Sequence, residues 1–279
     1  VQVSEALSTS DPGFALSALA HAYLFAHNAA VNGSELQKKH VLPRSASGEW
    51  ISGLCMTEPE VGTDVLSLKT RAVRDGDAYV LSGTKTLITN AGIDEHTLGD
   101  CFIVYAATEP KVISSFLVEK GMPGFRLGQK WSDKLGMRAS YTGELVLEGV
   151  RVPVGNRMGE EGEGTLHMMR NLEIERLTLA AMSLGIAERC LRVMIDYANE
   201  RKTFGKPLRE HGQIQRYVAE TFAEWRASRI FVYDTARRLR LDAVGQRVDA
   251  DATKLLASQV AKRAADAAMQ VLGGYGYMG

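Results

Sequence analysis

The chain has 279 residues, of which 45% are hydrophobic and 24% are charged, a composition that is ordinary for a globular enzyme with two domains or one core and an insertion. Its 33 basic and 33 acidic residues leave no net charge, so no electrostatic argument favours binding to nucleic acid or to an anionic membrane. The scattered Cys55, Cys101 and Cys190 argue against a disulfide framework and favour a reducing compartment over secretion.

Residues 1–48 are predicted to be helical. The run from Pro12 to Ser34 carries no charged residue, but its histidines and asparagines make it too polar for a membrane span, so a buried helix is predicted. Ser34 and Gln37 form a capping-box pattern for a second helix, which Pro43 is expected to end.

From about Trp50 the pattern changes to short apolar runs separated by glycine and proline. Two of these runs flank the turn Arg74–Asp77, whose Asp-Gly pair is typical of a β-hairpin. Short strands at this spacing predict an antiparallel barrel or sandwich. The predicted strands are Ile51–Met56, Lys69–Val73, Tyr79–Leu81, Thr86–Thr89, Phe102–Ala106, Ser115–Glu119, Phe125–Leu127 and Glu144–Val150.

Helical periodicity returns near Gly162 and continues to the C-terminal end. Three long helices are predicted, and each has a stop or start signal from glycine, proline or a capping acid. They cover Gly162–Glu200, Gln213–Leu241 and Asp249–Leu272, with a loop at 201–207 and a glycine-rich stop at 273–276.

The first of these long helices carries two apolar stripes, and each stripe contains one glutamate. An ionised carboxylate in such a place is costly unless it is paired or protonated. Glu173 and Glu175 are therefore either structural polar contacts, for instance with Arg170 or Arg176, or a working acid or base. One stripe comprises Met168, Leu172, Glu175, Leu179, Met182 and Ile186. The other comprises Leu166, Met169, Glu173, Leu177, Ala180 and Leu184.

Two strand ends in the β-region, Leu54–Asp64 and Lys85–Asn90, carry threonines and turn residues. Backbone N–H groups and hydroxyls at such ends can bind a ring carbonyl or a phosphate, although each stretch alone is more often an ordinary turn. The sequence contains no GxGxxG or GxxxxGK[ST] phosphate loop and no HExxH pattern, and no metal site is predicted.

Taken in order, five stretches resemble motifs of the acyl-CoA dehydrogenase family, over essentially the whole chain. The order and relative positions of the five make the resemblance specific, which a single motif would not do. Cys55–Asp64 and Gly83–Asn90 are similar to the family's two flavin motifs, Lys134–Ser140 followed by Val150–Pro153 to the close of its β-domain, and Glu200–Gly205 and Gln270–Gly276 to its C-terminal helical motifs.

The resemblance implies an α+β multidomain fold: an N-terminal α-helical domain at 1–48, a central antiparallel β-barrel at 49–157 and a C-terminal four-helix bundle at 158–279. Both ends of the chain are then shorter than in the family.

The same resemblance implies FAD as cofactor, between barrel and bundle. Thr57 and Thr89 would hydrogen-bond the flavin, and Thr63 would lie near the pyrophosphate or the CoA part of the substrate. The adenine half would lie across a subunit interface of a homotetramer. The implied FAD-binding residues are Leu54, Met56, Thr57, Gly62, Thr63, Leu87, Ile88, Thr89, Arg201, Thr203, Phe204, Gln270, Gly273 and Gly274.

The implied reaction is α,β-dehydrogenation of an acyl-CoA thioester, in which a carboxylate removes the α-proton while a β-hydride goes to flavin N5. Most family members take this base from a loop near the C-terminus, but the isovaleryl-CoA dehydrogenase type takes it from Asp-Leu-Glu-Arg on a bundle helix. Glu173–Arg176 corresponds to that sequence, which implies Glu175 as the base and a short branched-chain substrate. The implied substrate-binding residues are Thr63, Leu166, Glu173 and Arg176.

The resemblance also implies electron-transfer flavoprotein as the electron acceptor and a location in the bacterial cytoplasm or the mitochondrial matrix. Three alternatives stay open. One is an acyl-CoA oxidase-type flavoenzyme, because Leu87 stands where the family commonly has tryptophan beside the flavin. The others are a straight-chain acyl-CoA dehydrogenase and a helical scaffold without enzymatic activity.

Overall fold

The computed structural model describes residues 1–240 and 247–278. Contacts divide the chain into two compact units. Leu16–Leu172 form one, called here the sheet unit, and Val1–Ala15 with Glu173–Gly279 form the other, called here the helical unit. Helices and strands in these proportions confirm the predicted α+β class.

The N-terminal region is helical, as predicted, and most of it belongs to the sheet unit. The predicted capping box is present: the Ser34 hydroxyl accepts from the Gln37 amide at 3.2 Å, and Gln37 Oε1 accepts from the Ser34 amide at 2.9 Å. The helices are α1 (Gln2–Ser10), α2 (Pro12–Leu19), which runs through a π-helical stretch (Ala20–His27) into α3 (Asn28–Asn32), and α4 (Glu35–Ser47).

Helix α4 does not end at Pro43, so that prediction was wrong. A proline inside a helix removes one backbone hydrogen bond but leaves the following amides free to continue the ladder. The next turn is held by the Ser45 hydroxyl, which donates to the Val41 carbonyl at 2.9 Å. The helix ends only at Gly48, whose φ of 77° is the left-handed conformation common after a helix.

The continuous helix Pro12–Asn32 is long and apolar enough to cross a membrane by length and composition, a test that core helices of soluble proteins also pass. Within the sheet unit its polar side chains bond to strands or to neighbouring helix. His21 accepts from the Ser52 amide at 3.2 Å, and Asn28 donates to the hydroxyl of fully buried Tyr105 at 3.1 Å. These bonds hold the helix in the sheet unit, but only 33% of its most apolar stretch is buried, so the predicted buried helix is confirmed only in part.

The sheet unit contains a mixed sheet, in which neighbours follow the order β6-β7-β3-β2-β4-β5-β8, and β1 pairs with β4. The prediction of antiparallel pairing is right for most pairs but wrong for two, since β4 is parallel to both β1 and β2. Long connections rather than hairpins lead from β1 and β2 to β4, which permits the parallel arrangement. The strands are β1 (Ser52–Cys55), β2 (Arg71–Asp75), β3 (Ala78–Thr89), β4 (Cys101–Glu109), β5 (Val112–Glu119), β6 (Phe125–Lys130), β7 (Thr142–Pro153) and β8 (Arg157–Met158).

The two strands predicted at Tyr79–Leu81 and Thr86–Thr89 are one strand, β3. Its pairing with β7 shifts register between Leu81 and Gly83 and again between Lys85 and Ile88. Such bulges break the alternation of buried and exposed residues by which a strand is recognised in a sequence. The apolar core on either side of the sheet includes Phe102, Val104, Ile103 and Tyr105 of β4.

The helical unit is built on three long helices of the described chain, near the predicted positions. The predicted end of the second helix, Leu241, lies outside the described residues. Leu177, Ala180 and Leu184 of the first helix form a core with Val232 and Ala257 of the other two. The elements are α5 (Gly164–Glu200, in this unit from Glu173), the short strands β9 (Lys202–Thr203) and β10 (Lys206–Pro207), α6 (Gly212–Arg238), α7 (Arg247–Leu272) and the single turn α8 (Gly274–Tyr277).

Helix α1 also belongs to the helical unit and is fixed to both α5 and α6. The buried Glu5 carboxylate accepts hydrogen bonds from Arg229 Nε at 2.7 Å and from the Tyr233 hydroxyl. At Gly185 of α5, an added Cβ would lie 2.3 Å from the Glu5 carbonyl and 2.8 Å from Ser8 Cβ. The absence of a side chain at Gly185 is therefore what allows α1 and α5 to approach so closely.

Candidate active site

The loop after β1 is organised around the buried carboxylate of Glu58. It accepts from the Lys69 amide at 2.6 Å, from the Thr70 amide at 3.0 Å and from Lys85 Nζ at 2.8 Å. Burial alone would raise the pKa of Glu58, but the Lys85 ammonium and these hydrogen bonds hold the pKa below its usual range. The carboxylate is therefore ionised and makes the loop a fixed structure.

The end of β3 lies beside this loop. The Thr86 amide donates to the Thr57 carbonyl at 2.9 Å, so the first predicted flavin motif is hydrogen-bonded directly to the second. A Cβ on Gly53 of β1 would meet the Thr89 carbonyl at 2.7 Å, which is a second close approach between them. Two stretches that are about thirty residues apart in sequence thus form one surface.

The predicted flavin contacts on this surface are available for a ligand. Thr57 and Thr89 are half-buried, and in the described part of the chain neither hydroxyl has a hydrogen-bond partner. Leu87 has 57% of its surface exposed and a φ of 57°, a left-handed conformation that is rare for leucine, whereas Ile88 is buried. Leu54 and Met56 are half-buried against the neighbouring core cluster, and Gly62 and Thr63 are exposed.

Both candidate carboxylates lie on α5, in the part that belongs to the helical unit. Glu173 is buried and Glu175 is half-buried. Burial raises the pKa of Glu175, and the nearby Arg176 charge only partly opposes this. The described residues offer no hydrogen bond or ion pair to either carboxylate. The Arg176 guanidinium, a candidate partner of Glu175, pairs with Asp251 at 3.0 Å.

This arrangement weakens the structural alternative for Glu175, in which Arg170 or Arg176 would neutralise it. A carboxylate with a raised pKa and no fixed partner has the properties of a general base. Leu166, a predicted substrate contact, is exposed on the first turn of α5, in the sheet unit.

The C-terminal motifs meet in a pocket of about 690 Å³ inside the helical unit. Five of the six FAD-binding residues predicted in the C-terminal motifs line it: Arg201, Thr203, Gln270, Gly273 and Gly274. The sixth, Phe204, is outside the lining, with 97% of its surface exposed and its ring edge-on to His211 at 6.3 Å. Tyr197, Leu208, Ile214, Val271, Leu272, Tyr275 and Met278 complete the pocket.

Sequence reasoning missed the Lys85–Glu58 pair, because the two residues are 27 positions apart. One signal was available: Lys85 is a charged residue directly before the apolar predicted strand Thr86–Thr89. Tyr275 and Met278 of the pocket were also missed. No group of three or more His, Cys, Asp or Glu side chains in residues 1–240 and 247–278 could hold a metal ion.

Two family models match the chain. The middle domain of the acyl-CoA dehydrogenases matches residues 53–150, and the C-terminal domain of the acyl-CoA dehydrogenases matches residues 162–279. These matches cover the motif surface of β1 and β3 and the helices that carry Glu175 and the pocket. The chain belongs to the acyl-CoA dehydrogenase family.

Individual relatives agree with this assignment. The mitochondrial isovaleryl-CoA dehydrogenase of Oryza sativa subsp. japonica is 41% identical over 278 residues, 98% of this chain and 66% of the relative. The structure of butyryl-CoA dehydrogenase from Megasphaera elsdenii has a TM-score of 0.93 at 37% identity, over 98% of this chain and 71% of that one. An acyl-CoA dehydrogenase from Bacillus anthracis, solved in complex with FAD, has a TM-score of 0.92 at 31% identity, over 99% of this chain and 50% of that one. The chain spans slightly less than two thirds of the rice enzyme's length.

Proposed function

We propose that this protein catalyses FAD-dependent α,β-dehydrogenation of an acyl-CoA thioester, with Glu175 as the base that removes the α-proton. The observation that carries the proposal is the state of Glu175: half-buried, free of an ion pair within the described residues, and with a pKa raised by burial. Family membership supplies the reaction class.

The residues present fit FAD. Thr57 and Thr89 are half-buried, and their hydroxyls have no hydrogen-bond partner among residues 1–240 and 247–278, which suits the polar edge of a flavin ring. The pocket at 690 Å³ is large enough for an adenine and combines apolar walls with Arg201 and Gln270. When bound, FAD would supply a hydride acceptor, and the Bacillus anthracis relative was solved with this cofactor.

The proton transfer is the part that Glu175 performs. The α-proton of a thioester is weakly acidic, so the base must have a high proton affinity and must stand in a site with little water. Burial raises the pKa of Glu175 above that of an exposed glutamate, and a carboxylate with a higher pKa is a stronger base in its ionised form.

The substrate that we propose is a short branched-chain acyl-CoA. Support comes from the position of Glu175 on α5, in the stretch Glu173–Arg176 that resembles the base motif of the isovaleryl-CoA dehydrogenase type, and from the 41% identity to an isovaleryl-CoA dehydrogenase. A straight-chain substrate is the second candidate, because the butyryl-CoA dehydrogenase of Megasphaera elsdenii has a closely similar fold. Thr63, Leu166, Glu173 and Arg176 stay proposed substrate contacts.

The remaining family features are proposed on the same ground. They are a closed β-barrel, a four-helix bundle, the domain boundaries at 48/49 and 157/158, a homotetramer, electron-transfer flavoprotein as the acceptor, and a location in the bacterial cytoplasm or the mitochondrial matrix. An oxidase-type reaction with oxygen is the alternative that exposed Leu87 favours, and release of hydrogen peroxide during turnover distinguishes it from the dehydrogenase.

The decisive experiment is anaerobic reduction of the FAD-loaded protein by acyl-CoAs of different length and branching. We expect the oxidised flavin absorption band to bleach fastest with a short branched acyl-CoA. Glu175→Gln should keep FAD and fold but lose the bleaching, and the matched variant Glu173→Gln should retain most of it. Two results would contradict the proposal. One is a Glu175→Gln protein whose flavin band bleaches at a near-normal rate, and the other is a parent protein whose flavin band no acyl-CoA bleaches.

A further inference from the structure

The Lys85–Glu58 pair is the most deeply buried ion pair in the described residues. The Lys85 side chain is 0% exposed and that of Glu58 is 3% exposed, with Nζ and Oε1 at 2.8 Å. Burial lowers the pKa of the Lys85 ammonium, and the Glu58 carboxylate opposes that shift. Buried ion pairs of this kind are seldom a gain in stability over apolar side chains of the same volume, because removing two charges from water is costly.

The position of the ammonium suggests what the pair does. Lys85 Nζ donates to the Met56 carbonyl at 3.1 Å and to Glu58 at 2.8 Å, so it bonds to the residues on both sides of Thr57. The amide of the next residue, Thr86, donates to the Thr57 carbonyl itself at 2.9 Å. Three consecutive residues of the loop are thus held by two consecutive residues of β3.

These bonds fix the Thr57 backbone and leave its hydroxyl without a partner in the described chain. They also fix the distance between Thr57 and the end of β3, which carries Thr89, and they coincide with the register shift between Lys85 and Ile88. A single buried ammonium therefore ties the loop that carries Thr57 to the strand that carries Thr89, the two residues proposed to bond the flavin.

We propose that Lys85, acting through the Met56 carbonyl and Glu58, is a positioning residue for the flavin. It holds the Thr57 hydroxyl in register with Thr89 so that both can bond one ring. This inference rests on the proposed binding of FAD. Lys85 itself touches neither cofactor nor substrate.

The test uses the full chain without FAD and three variants: Lys85→Met, Glu58→Gln and the double variant. Lys85→Met leaves the Glu58 carboxylate buried and unpaired, which lowers stability. The double variant keeps the side-chain volumes but removes both charges, so it should regain much of that stability. Tyr105→Phe is the control, because it disturbs a buried hydrogen bond elsewhere in the sheet unit.

The readouts are FAD affinity by quenching of flavin fluorescence, the position of the bound flavin's visible band, and hydrogen exchange of the Thr86 amide without FAD. We expect Lys85→Met and the double variant to bind FAD roughly tenfold more weakly, with a shifted band and faster exchange, whatever their stability. Tyr105→Phe should lower the stability but leave the FAD affinity, the visible band and the Thr86 exchange rate unchanged.

The inference would be overturned if the FAD affinity, the position of the visible band and the exchange rate simply followed the stability of each variant and returned to parental values in the double variant. The pair would then be merely structural. A Lys85→Met protein that does not fold leaves the decision to the double variant. Parent protein that binds no FAD would overturn the proposed function as well, so the two failures are distinguishable.

Discussion

Gly185→Ala offers a test of the helical unit in which two effects have opposite signs. Alanine is favoured over glycine inside a helix by about 1 kcal/mol, so propensity alone predicts a gain in stability. The added Cβ would lie 2.3 Å from the Glu5 carbonyl, 2.8 Å from Ser8 Cβ and 3.1 Å from the Thr9 amide. Two of these are backbone atoms, which cannot move as a flexible side chain can.

Helix α1 therefore has to shift, and overpacking of this kind costs about 1–3 kcal/mol. Moving α1 away from α5 also loosens the hydrogen bonds from Arg229 and Tyr233 to buried Glu5. Separation of α1 from α5 would therefore lower the stability as well. The overpacking cost exceeds the propensity gain. We expect a net loss of up to about 2 kcal/mol, equivalent to a fall in the unfolding midpoint of roughly 2–4 °C per kcal/mol for a chain of this size.

Thermal unfolding followed by circular dichroism measures this change. Gly212→Ala is the matched control, because Gly212 is also helical and its added Cβ would meet no atom within 4 Å. The control should unfold at the parental temperature or slightly above it. A Gly185→Ala protein that is as stable as the control would refute the reasoning, since it would mean that α1 is not held against α5.

Three further predictions concern single residues. Burial raises the pKa of Glu175, so the native protein binds a proton on this carboxylate more tightly than the unfolded chain does. Binding of that proton stabilises the native protein at pH 4, and the stabilisation is lost as the pH rises through the raised pKa. Glu175→Gln should therefore be more stable relative to the parent at pH 8 than at pH 4, and a constant difference in unfolding midpoint would contradict this. Gln37→Leu removes the side-chain half of the capping box, in which Gln37 Oε1 accepts from the Ser34 amide, and the bonds to the carbonyls of Gly155 and Arg157. It should lower the free energy of unfolding by about 2 kcal/mol or more in denaturant titration, whereas a loss below about 0.5 kcal/mol would count against it. Tyr105→Phe leaves the Asn28 amide unpaired in the core and should cost about 1–3 kcal/mol by the same titration; no loss would mean that the amide finds another partner.

Features with a local cause were predictable from the sequence. The capping box of Ser34 and Gln37 and the hairpin at Gly76 depend on neighbouring residues only, and both are present. Helix α4 passed Pro43 because its end depends on Gly48 and on Ser45, and the extent of β3 depends on pairing with β7 across two bulges. The first cause is local, since Gly48 and Ser45 lie within five residues of Pro43, whereas the pairing of β3 depends on residues of β7 that are distant in the sequence.

The candidate site divides in the same way. Thr57, Thr89, Gln270 and Gly274 could be proposed because motif order identifies them. The residues that hold those groups could not, since the contacts of Lys85 with Met56 and Glu58 are made across 29 and 27 positions. The pKa of Glu175 likewise depends on its surroundings in the folded chain, which periodicity alone does not specify.

The anchoring of α1 has a consequence for the order of folding. Glu5 and Arg229 are 224 positions apart, so α1 leaves the ribosome long before its partners on α5 and α6 exist. The sheet unit, Leu16–Leu172, is continuous in sequence and can complete its contacts first. Closing so long a loop is slow compared with forming local contacts, which makes docking of α1 a late event. During synthesis, the Glu5 carboxylate thus stays exposed until its partner Arg229 is made, more than two hundred residues later.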